Sequence, residues 1–464
     1  MARIVIVGAG ISGLAAAARL ATLGHRVTVY EAAPGPGGMV GRYRRDGFAF
    51  DTGPTLLPLP AVFRDLALKT GREPLEQLVG LSPVDPESHH LFADGTGLTL
   101  PNASRGGVGR ALDQALGAGS GERWAAVMNR GRAVWEATRR PLLEEPLPAD
   151  PGTLAADPYP AAKRGLARLF GAGGRRTLAE LARQELGGDD RLAALLTECA
   201  LRFGLDPRAT PAGATVLPYM EQTFGVWSVR GGMRALVDAM VLRCEQRGVE
   251  FRFGSAVAPG QEFPEAGLVL RPEPPEAGLP SRFTMLLALR GARPPGTPQR
   301  TVVHTPLPRE ELASIFDSPA LCELPTVQVL RPDDPSAVPD PEHETAVLTC
   351  TVPSQAALDW TAPGVAKEFA DRVLTHLQAA GLDLGERILW ERWRTPADLE
   401  RETLAPGGAV ARPALAGFGG EFLQPPNATD EPGRYRLGQA AHPGGGLSRA
   451  GMSACVVAGL VGPA

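Results

Sequence analysis

The chain has 464 residues, which is more than one compact hydrophobic core usually takes, so two or more subdomains are expected. Its net charge of −4 argues against nucleic-acid binding as the main role. Its five scattered cysteines favour neither a disulfide framework nor a zinc site. No apolar run approaches the roughly 20 residues that span a bilayer, and no charged leader precedes the first apolar residues, so a cytoplasmic protein is expected.

Residues 1–31 have the pattern of a strand–helix–strand unit. A short apolar strand at 3–7 runs directly into Gly8, Gly10 and Gly13, and a helix-forming run follows. Gly8 permits a tight turn, Gly10 lets a pyrophosphate approach the backbone, and Gly13 lets the helix pack against the strand. The free N–H groups of the helix N-terminus favour phosphate oxygens. The spacing therefore predicts a dinucleotide-binding site.

The residues after this unit indicate which dinucleotide is bound. The second strand, at 27–30, ends at Glu31, whose carboxylate can accept hydrogen bonds from ribose hydroxyls. Gly37 and Gly38 complete an extended motif that is similar to that of FAD enzymes of the glutathione-reductase and amine-oxidase class. The alternatives are a glycine turn without a ligand and an NAD site. The trailing glycine pair and the position at the start of the chain favour FAD.

Strand and helix patterns continue along the rest of the chain. Strands are predicted within 83–100 and at 249–253, 283–289 and 345–352, and helices within 61–70, 108–140, 161–205, 234–246 and 364–380. The Pro-rich segments 145–160 and 259–282 are predicted as loops. At the C-terminus, a strand near 435–437, a glycine loop and a helix at 449–460 again present a helix N-terminus to a phosphate or flavin.

The helices predicted between 123 and 183 combine apolar residues with many basic ones. The basic residues are Arg123, Arg130, Arg132, Arg139, Arg140, Lys163, Arg164, Arg168, Arg175 and Arg176. One interpretation is a solvated outer face over a core stripe. The other is a surface that rests on anionic lipid.

Together these segments resemble the phytoene desaturase family, the carotenoid desaturases and isomerases of the flavin amine-oxidase superfamily. The resemblance covers most of the chain. Beyond the N-terminal glycines, it rests on DGFAFDTGPTLLPLP at 46–60, FADGT at 92–96, RGGM at 230–233, RTPADL at 394–399 and HPGGG at 442–446.

The resemblance implies an α/β fold with a Rossmann-like FAD-binding domain built from discontinuous segments, a second α+β substrate domain and a helical subdomain. The FAD-binding domain would comprise 1–82, 222–260 and 425–464, the substrate domain 83–122 and 261–424, and the helical, membrane-facing subdomain 123–221.

The resemblance also implies FAD contacts from widely separated parts of the chain. The pyrophosphate would be held by the first glycines, the ribose by Glu31, the adenine by Val257, and the flavin end by the 53–55 turn and the C-terminal glycine loop. The cofactor-binding residues are predicted to be Gly8, Gly10, Ser12, Gly13, Glu31, Gly38, Arg42, Gly53, Pro54, Thr55, Val257, Gly438, Gly445, Gly446 and Leu447.

Two features depart from the family pattern. An arginine usually follows the glycine pair closely, whereas here the first basic residue is Arg42. The segment after Val257 is reduced to the Pro-rich residues 259–282, so part of the edge of the FAD-binding domain is expected to be missing.

The activity implied is desaturation of a long apolar polyene: a hydride passes to flavin N5, a proton leaves nearby, and a C=C bond forms. His442 is a candidate for the proton transfer, with a structural role as the alternative. No second dinucleotide motif is visible, so O2 or a quinone would accept the electrons, and no metal site is predicted. Such a substrate would come from a membrane, so contact with the inner face of an anionic membrane is expected.

Two other functions remain compatible with the sequence. The same scaffold could oxidise an amine or another small polar molecule, although the Pro- and Gly-rich C-terminal loop favours an apolar substrate over an aromatic cage. Alternatively, the shortened segment 259–282 could mark an FAD-binding accessory protein without turnover.

Overall fold

A computed structural model of the protein describes residues 1–160 and 175–464. One layer is a parallel sheet with strand order β10–β2–β1–β11–β17. Its strands are β1 (Arg3–Val7), β2 (Arg26–Tyr30), β10 (Glu250–Arg252), β11 (Leu268–Pro272) and β17 (Arg434–Leu437). The parallel order built on a strand–helix–strand unit is that of a dinucleotide-binding fold, as predicted.

Helix α1 (Ile11–Thr22) packs against α10 (Arg234–Gln246) and α14 (Leu447–Val461). The four consecutive alanines at 15–18 are all buried there, because small side chains let neighbouring helices approach closely. Two shorter helices, α2 (Ala61–Thr70) and α3 (Leu75–Leu78), extend this core. The C-terminal helix is thus packed beside the first helix of the chain, which brings the two ends of the sequence together.

The predicted loop at 259–282 is wrong for residues 268–272, which form β11 between β1 and β17. Val269 and Leu270 are fully buried in that strand. The sheet therefore continues past β1, and the expected gap at its edge is not seen. The three apolar residues at 268–270 are too few to stand out among their Pro and Gly neighbours. The predicted domain boundaries stay a prediction, although β11 lies outside the segments assigned to the FAD-binding domain.

A second, mixed sheet has strand order β16–β12–β15–β14–β13–β7–β8. Its strands are β7 (Ser88–Leu91), β8 (Gly97–Leu100), β12 (Ser281–Arg290), β13 (Arg300–Val303), β14 (Val327–Leu330), β15 (His343–Val352) and β16 (Ile388–Arg394). Helix α12 (Val365–Ala379) packs its apolar side on one face, through Phe369, Val373 and Leu377. The hairpin β3 (Arg42–Arg45) and β4 (Phe48–Asp51) covers part of the other face.

The remaining elements connect these two layers. A small antiparallel sheet joins β5 (Leu57–Pro58), β6 (Leu81–Pro83) and β9 (Val226–Val229). The helices α11 (Pro308–Leu312) and α13 (Pro396–Thr403) flank the mixed sheet.

A helical layer with its own apolar core lies between 105 and 224. Its helices are α4 (Arg105–Leu116), α5 (Ser120–Arg139), α6 (Gly152–Ala155), α7 (Leu178–Glu185), α8 (Asp190–Leu201) and α9 (Val216–Phe224). α6 is a single helical turn inside the segment predicted as loop at 145–160. The basic residues Lys163, Arg164 and Arg168 lie outside the described residues.

Candidate active site

The first glycine turn has the close packing that its spacing predicts. Gly8 has a positive φ of +91°, and its N–H donates to the Tyr30 carbonyl oxygen at 2.7 Å. A Cβ built on Gly13 would lie closer than 3.0 Å to the Gly8 carbonyl oxygen, a separation that real Cβ atoms essentially never show. The start of α1 therefore lies directly against the end of β1, where its free N–H groups are available to a phosphate.

The second glycine pair folds back onto this turn. The Gly37 N–H donates to the Ala9 carbonyl oxygen at 2.9 Å. Gly38 has φ +56°, and a Cβ on it would lie 3.3 Å from the Gly10 Cα. Backbone without side chains thus lines both sides of the turn, which is the form of cradle that a dinucleotide pyrophosphate requires.

Glu31 lies at the end of β2, beside the first glycine turn. Its Oε2 accepts a hydrogen bond from the Ala9 N–H at 2.6 Å, and its Oε1 accepts one from the Ala33 N–H at 2.8 Å. The carboxylate is therefore held in a fixed place next to the turn, and its contact with a ribose stays a prediction.

The C-terminal glycine loop closes on the same place. A Cβ on Gly438 would lie 3.9 Å from Ser12 Oγ, and the Gly438 N–H donates to Ser453 Oγ at 3.2 Å. Gly446, with φ +114°, precedes the first residue of α14, Leu447. A Cβ on Gly445 would collide with the Ala411 carbonyl oxygen. The loop before α14 therefore lies beside the start of α1, although more than 400 residues separate the two helices along the chain.

The turn of Gly53, Pro54 and Thr55 lies between these two segments. A Cβ on Gly53 would fall closer than 3.0 Å to the Met39 carbonyl oxygen. Met39 in turn accepts a hydrogen bond at its Sδ from Gln439 Nε2, at 3.4 Å. The structure thus brings the turn, the glycine pair and the C-terminal loop together, as a site for one extended cofactor requires.

Arg42 lies farther from the first glycine turn, in β3, beside Asp51 of β4. A Cβ on Gly232 would lie 2.8 Å from Asp51 Oδ1 and 3.2 Å from Arg42 Nη2. Asp51 Oδ2 accepts a hydrogen bond from the Met233 N–H at 2.8 Å, whereas its Oδ1 is buried and has no hydrogen-bond partner in the part of the chain that the structure describes. Burial raises the pKa of Asp51 to about 6, and the Arg42 charge opposes that shift. A cofactor contact by Arg42 stays a prediction.

A large cavity, of about 620 Å³, begins at Thr55 and reaches the mixed sheet. This volume lies within the range of pockets that hold a small organic ligand. The wall of this cavity has both apolar and charged side chains. Leu56, Leu330 and Val347 are apolar. The charged residues are Arg42, Asp51, Arg230, Asp333 and Asp334.

A second, much smaller cavity, of about 20 Å³, lies between the helical layer and the C-terminal segments. Most of its wall is apolar, with Val134, Trp135 and Leu142 on one side and the segment 414–416 opposite. Arg449, in the first turn of α14, lines one end. Because Gly446 precedes that helix, the cavity adjoins the C-terminal glycine loop.

His442 connects the glycine loop to the helical layer. Its side chain is fully buried, and its Nε2 donates to the Glu145 carbonyl oxygen at 2.9 Å. Its Nδ1 has no partner among the described residues, and burial lowers the pKa of the ring. Through these contacts, the His442 side chain fixes the position of the C-terminal glycine loop. Proton transfer by His442 stays a prediction.

Val257 lies on the far side of the nucleotide-binding layer, packed beside Val5 and Val269. The side chain is partly exposed, and its predicted contact with adenine stays a prediction.

Sequence patterns did not indicate a buried ionic network between the mixed sheet and the helical layer. Arg300, 3% exposed, contacts Glu87 at 2.6 Å and Glu221 at 3.0 Å, and a third carboxylate, Glu198, at 3.8 Å. Arg202 pairs with the same Glu221 at 2.6 Å. The members come from distant strands and helices, so no local spacing could reveal them.

All five cysteines lie in the described residues, and all five are free. Within 1–160 and 175–464, no group of three or more His, Cys, Asp or Glu side chains is placed to hold a metal ion. In the same ranges, no helix combines the length and the apolar character that crossing a bilayer requires.

Comparison with known proteins agrees with this geometry. The family model of flavin containing amine oxidoreductases matches residues 11–258, and the chain belongs to that family. The chain is therefore a flavin-dependent oxidoreductase, and the glycine cradle described above fits FAD.

Two relatives indicate the branch of the family. The chain is 34% identical over 256 residues to a zeta-carotene-forming phytoene desaturase of Myxococcus xanthus, an alignment that covers 55% of this chain and 47% of that protein. It is 28% identical to a hydroxyneurosporene desaturase of Rhodobacter capsulatus, over 96% of this chain and 95% of the relative. Carotenoid desaturases are thus what the chain is most consistently similar to.

A solved structure supports the fold. Cyclohexylamine oxidase from Brevibacterium oxydans superposes with a TM-score of 0.61, over 99% of both chains, at 15% identity. The arrangement of layers predicted from the sequence is confirmed by this likeness, which says nothing about the substrate.

Proposed function

We propose that this chain introduces C=C bonds into a long apolar polyene of the carotenoid-precursor type, with FAD as the hydride acceptor. The observation that carries the proposal is the cavity of about 620 Å³ that begins at Thr55, in the turn predicted to lie at the flavin end, and reaches the mixed sheet. The names of the relatives support the same substrate class.

Residues of the chain would hold FAD along its whole length. Gly8, Gly10, Ser12 and Gly13 would hold the pyrophosphate at the N-terminus of α1, and Glu31 the ribose. The turn at 53–55 and the loop at 438–447 would enclose the flavin end. Bound FAD supplies the acceptor for the hydride, which the protein side chains themselves cannot supply.

The apolar part of that wall would orient the polyene. The side chains of Leu56, Leu330 and Val347 have no hydrogen-bonding group, so binding against them is driven by removal of apolar surface from water. A dry wall also prevents side reactions of the substrate once a hydride has left. One hydride and one proton leave for each new C=C bond, and two electrons then pass to O2 or a quinone.

Product analysis tests the substrate class. Purified FAD-loaded protein incubated in air, or with an added quinone, should convert a phytoene-like polyene into products that are lighter by two hydrogens per new C=C bond. A small primary amine should give no product. Turnover of the amine and not of the polyene would assign the chain to amine oxidation instead.

We also propose that the helical layer contacts an anionic membrane surface, from which the polyene enters. Several arginines of this layer already pair with acidic residues: Arg130 with Glu185, Arg132 with Glu136, Arg140 with Glu145, Arg175 with Glu421 and Arg176 with Glu185. The proposal therefore depends on Lys163, Arg164 and Arg168, together with the exposed Arg139.

The protein should pellet with anionic liposomes at low salt. A triple variant, Lys163→Gln, Arg164→Gln and Arg168→Gln, should weaken that binding by about 100-fold, since each basic residue near an anionic surface contributes about 1 kcal/mol. Lys367→Gln is the control, because Lys367 lies on α12 and pairs with Asp371. Equal pelleting of the triple variant and the parent would contradict a membrane-facing role for this segment.

A further inference from the structure

The wall that the mixed sheet gives to the large cavity contains a buried hydroxyl group. Thr345 lies on β15, is 2% exposed and lines this cavity together with Val347. Alternate residues of a strand share one face, so both side chains lie on the face toward the cavity. Thr351, farther along that face, donates a hydrogen bond to the Leu201 carbonyl oxygen at 3.1 Å, whereas the Thr345 hydroxyl forms no hydrogen bond in the part of the chain that the structure describes. The Thr345 hydroxyl is therefore available to a ligand in the cavity.

Other polar groups lie at the same edge of the mixed sheet. β14 pairs with β13 on one side and with β15 on the other. Gln299 directly precedes β13, and Thr345 lies where β15 passes the end of β14; both residues line the cavity. The segment 332–337, which follows β14, lines the cavity along this edge as well. The cavity therefore has a polar edge next to its apolar wall.

The charges at this edge disfavour an anionic ligand. Asp333 and Asp334 both belong to the segment that follows β14, so a carboxylate bound there would meet two negative charges. The two arginines of the cavity wall lie on other elements, Arg42 on β3 and Arg230 after β9. A neutral hydroxyl group can both donate a hydrogen bond to the Thr345 hydroxyl and accept one from it. The edge therefore fits a neutral oxygen function.

We propose that Thr345 is a specificity residue that hydrogen-bonds a hydroxyl group at one end of the polyene. This inference rests on the proposed function, because it assigns the polyene to the same cavity, and it narrows the preferred substrate to a hydroxylated polyene. The cavity begins at Thr55 and Thr345 lies on the sheet, so the hydroxyl end would point away from the turn at 53–55. Leu56 and Leu330 would contact the hydrocarbon part between the two ends.

The Thr345 hydroxyl distinguishes a hydroxylated ligand from a hydrocarbon. A hydrocarbon that fills the cavity displaces water from the wall and leaves this hydroxyl without a partner, whereas a ligand hydroxyl replaces the lost hydrogen bond. A site that hydrogen-bonds a substrate hydroxyl therefore discriminates against the analogue that lacks it. One neutral hydrogen bond changes an affinity by about 3- to 10-fold, and the unsatisfied group adds to the difference.

Calorimetric binding of all-trans-retinol and of axerophthene to the FAD-loaded protein tests the proposal. The two ligands share one polyene, and axerophthene lacks only the hydroxyl group. Retinol should bind more tightly than axerophthene by about tenfold or more. Thr345→Val removes the protein hydroxyl and keeps the shape of the side chain, so it should weaken retinol by about 3- to 10-fold and should not weaken axerophthene. All-trans-retinoic acid should bind the parent more weakly than retinol does.

Matched variants separate the hydroxyl from the fold. Thr345→Ser keeps the hydroxyl group and should keep the preference for retinol. Thr349→Val makes the same change two alternate positions along the same face of β15, where the side chain does not line the cavity, and it should bind both ligands as the parent does. If Thr345→Val fails to load FAD, the comparison of retinol with axerophthene on the parent and on Thr345→Ser still decides.

Equal affinity of the parent for retinol and axerophthene, or the full preference for retinol in Thr345→Val, would overturn the assignment of Thr345. Tighter binding of retinoic acid than of retinol would overturn a neutral group as the one recognised. Preference for retinol without oxidation of any polyene would leave the hydroxyl site standing and refute the proposed function. Oxidation of hydrocarbon polyenes without preference for retinol would do the reverse.

Discussion

Gly13→Ala is expected to abolish FAD loading. The added Cβ would lie closer than 3.0 Å to the Gly8 carbonyl oxygen, so α1 would have to move away from β1. Overpacking of this kind costs about 1–3 kcal/mol in stability, and the displaced helix would no longer present its N-terminus to the pyrophosphate. The flavin content of the purified variant, from its visible absorption, measures the effect.

A second glycine provides the matched control. Gly109 lies inside α4, and a Cβ built on it meets no atom within 4 Å. Gly109→Ala should load FAD fully and gain about 0.5–1 kcal/mol in stability, since alanine is the better helix former. Full flavin content in Gly13→Ala would show that the glycine turn is not the pyrophosphate site.

Arg300→Met is expected to cost about 3–5 kcal/mol in the free energy of unfolding, because it leaves Glu87, Glu198 and Glu221 without their shared cation. Burial raises the pKa of Glu221, but its contacts with Arg202 and Arg300 outweigh that effect and lower the pKa to about 2. Denaturant unfolding at neutral pH measures the loss.

The stability lost in Arg300→Met should depend on pH. Loss of the arginine raises the pKa of the buried carboxyls, so protonation at acidic pH removes part of the uncompensated charge. The difference in stability between parent and variant should therefore narrow as the pH falls. Arg132→Met, which removes an exposed pair with Glu136, should cost under about 1 kcal/mol. An Arg300→Met variant as stable as Arg132→Met would contradict an ionic role for the network.

Local patterns in the sequence predicted much of the nucleotide-binding layer. The helices at 61–70 and 234–246 have the predicted bounds, and the glycine spacing placed β1, α1 and β2 correctly. Each of these depends on residues close in sequence, for which periodicity and turn chemistry are informative. The proximity of Gly438 to the first glycine turn was predicted instead from the family resemblance, since no local sequence pattern relates the two ends of a chain.

Other features depend on contacts that no local pattern encodes. β11 has only three apolar residues, 268–270, in a Pro-rich segment, and it is stabilised by pairing with β1 and β17. The Arg300 network joins positions 87, 198, 221 and 300 only after the mixed sheet and the helical layer meet.

The central claim is that bound FAD accepts a hydride from a polyene, and anaerobic titration of the FAD-loaded protein with a phytoene-like polyene tests it most directly. The account predicts that the visible absorption of oxidised flavin bleaches in proportion to added polyene and returns when O2 or a quinone is admitted. Flavin that stays oxidised in the presence of excess polyene, while the protein remains folded and loaded with FAD, would contradict it.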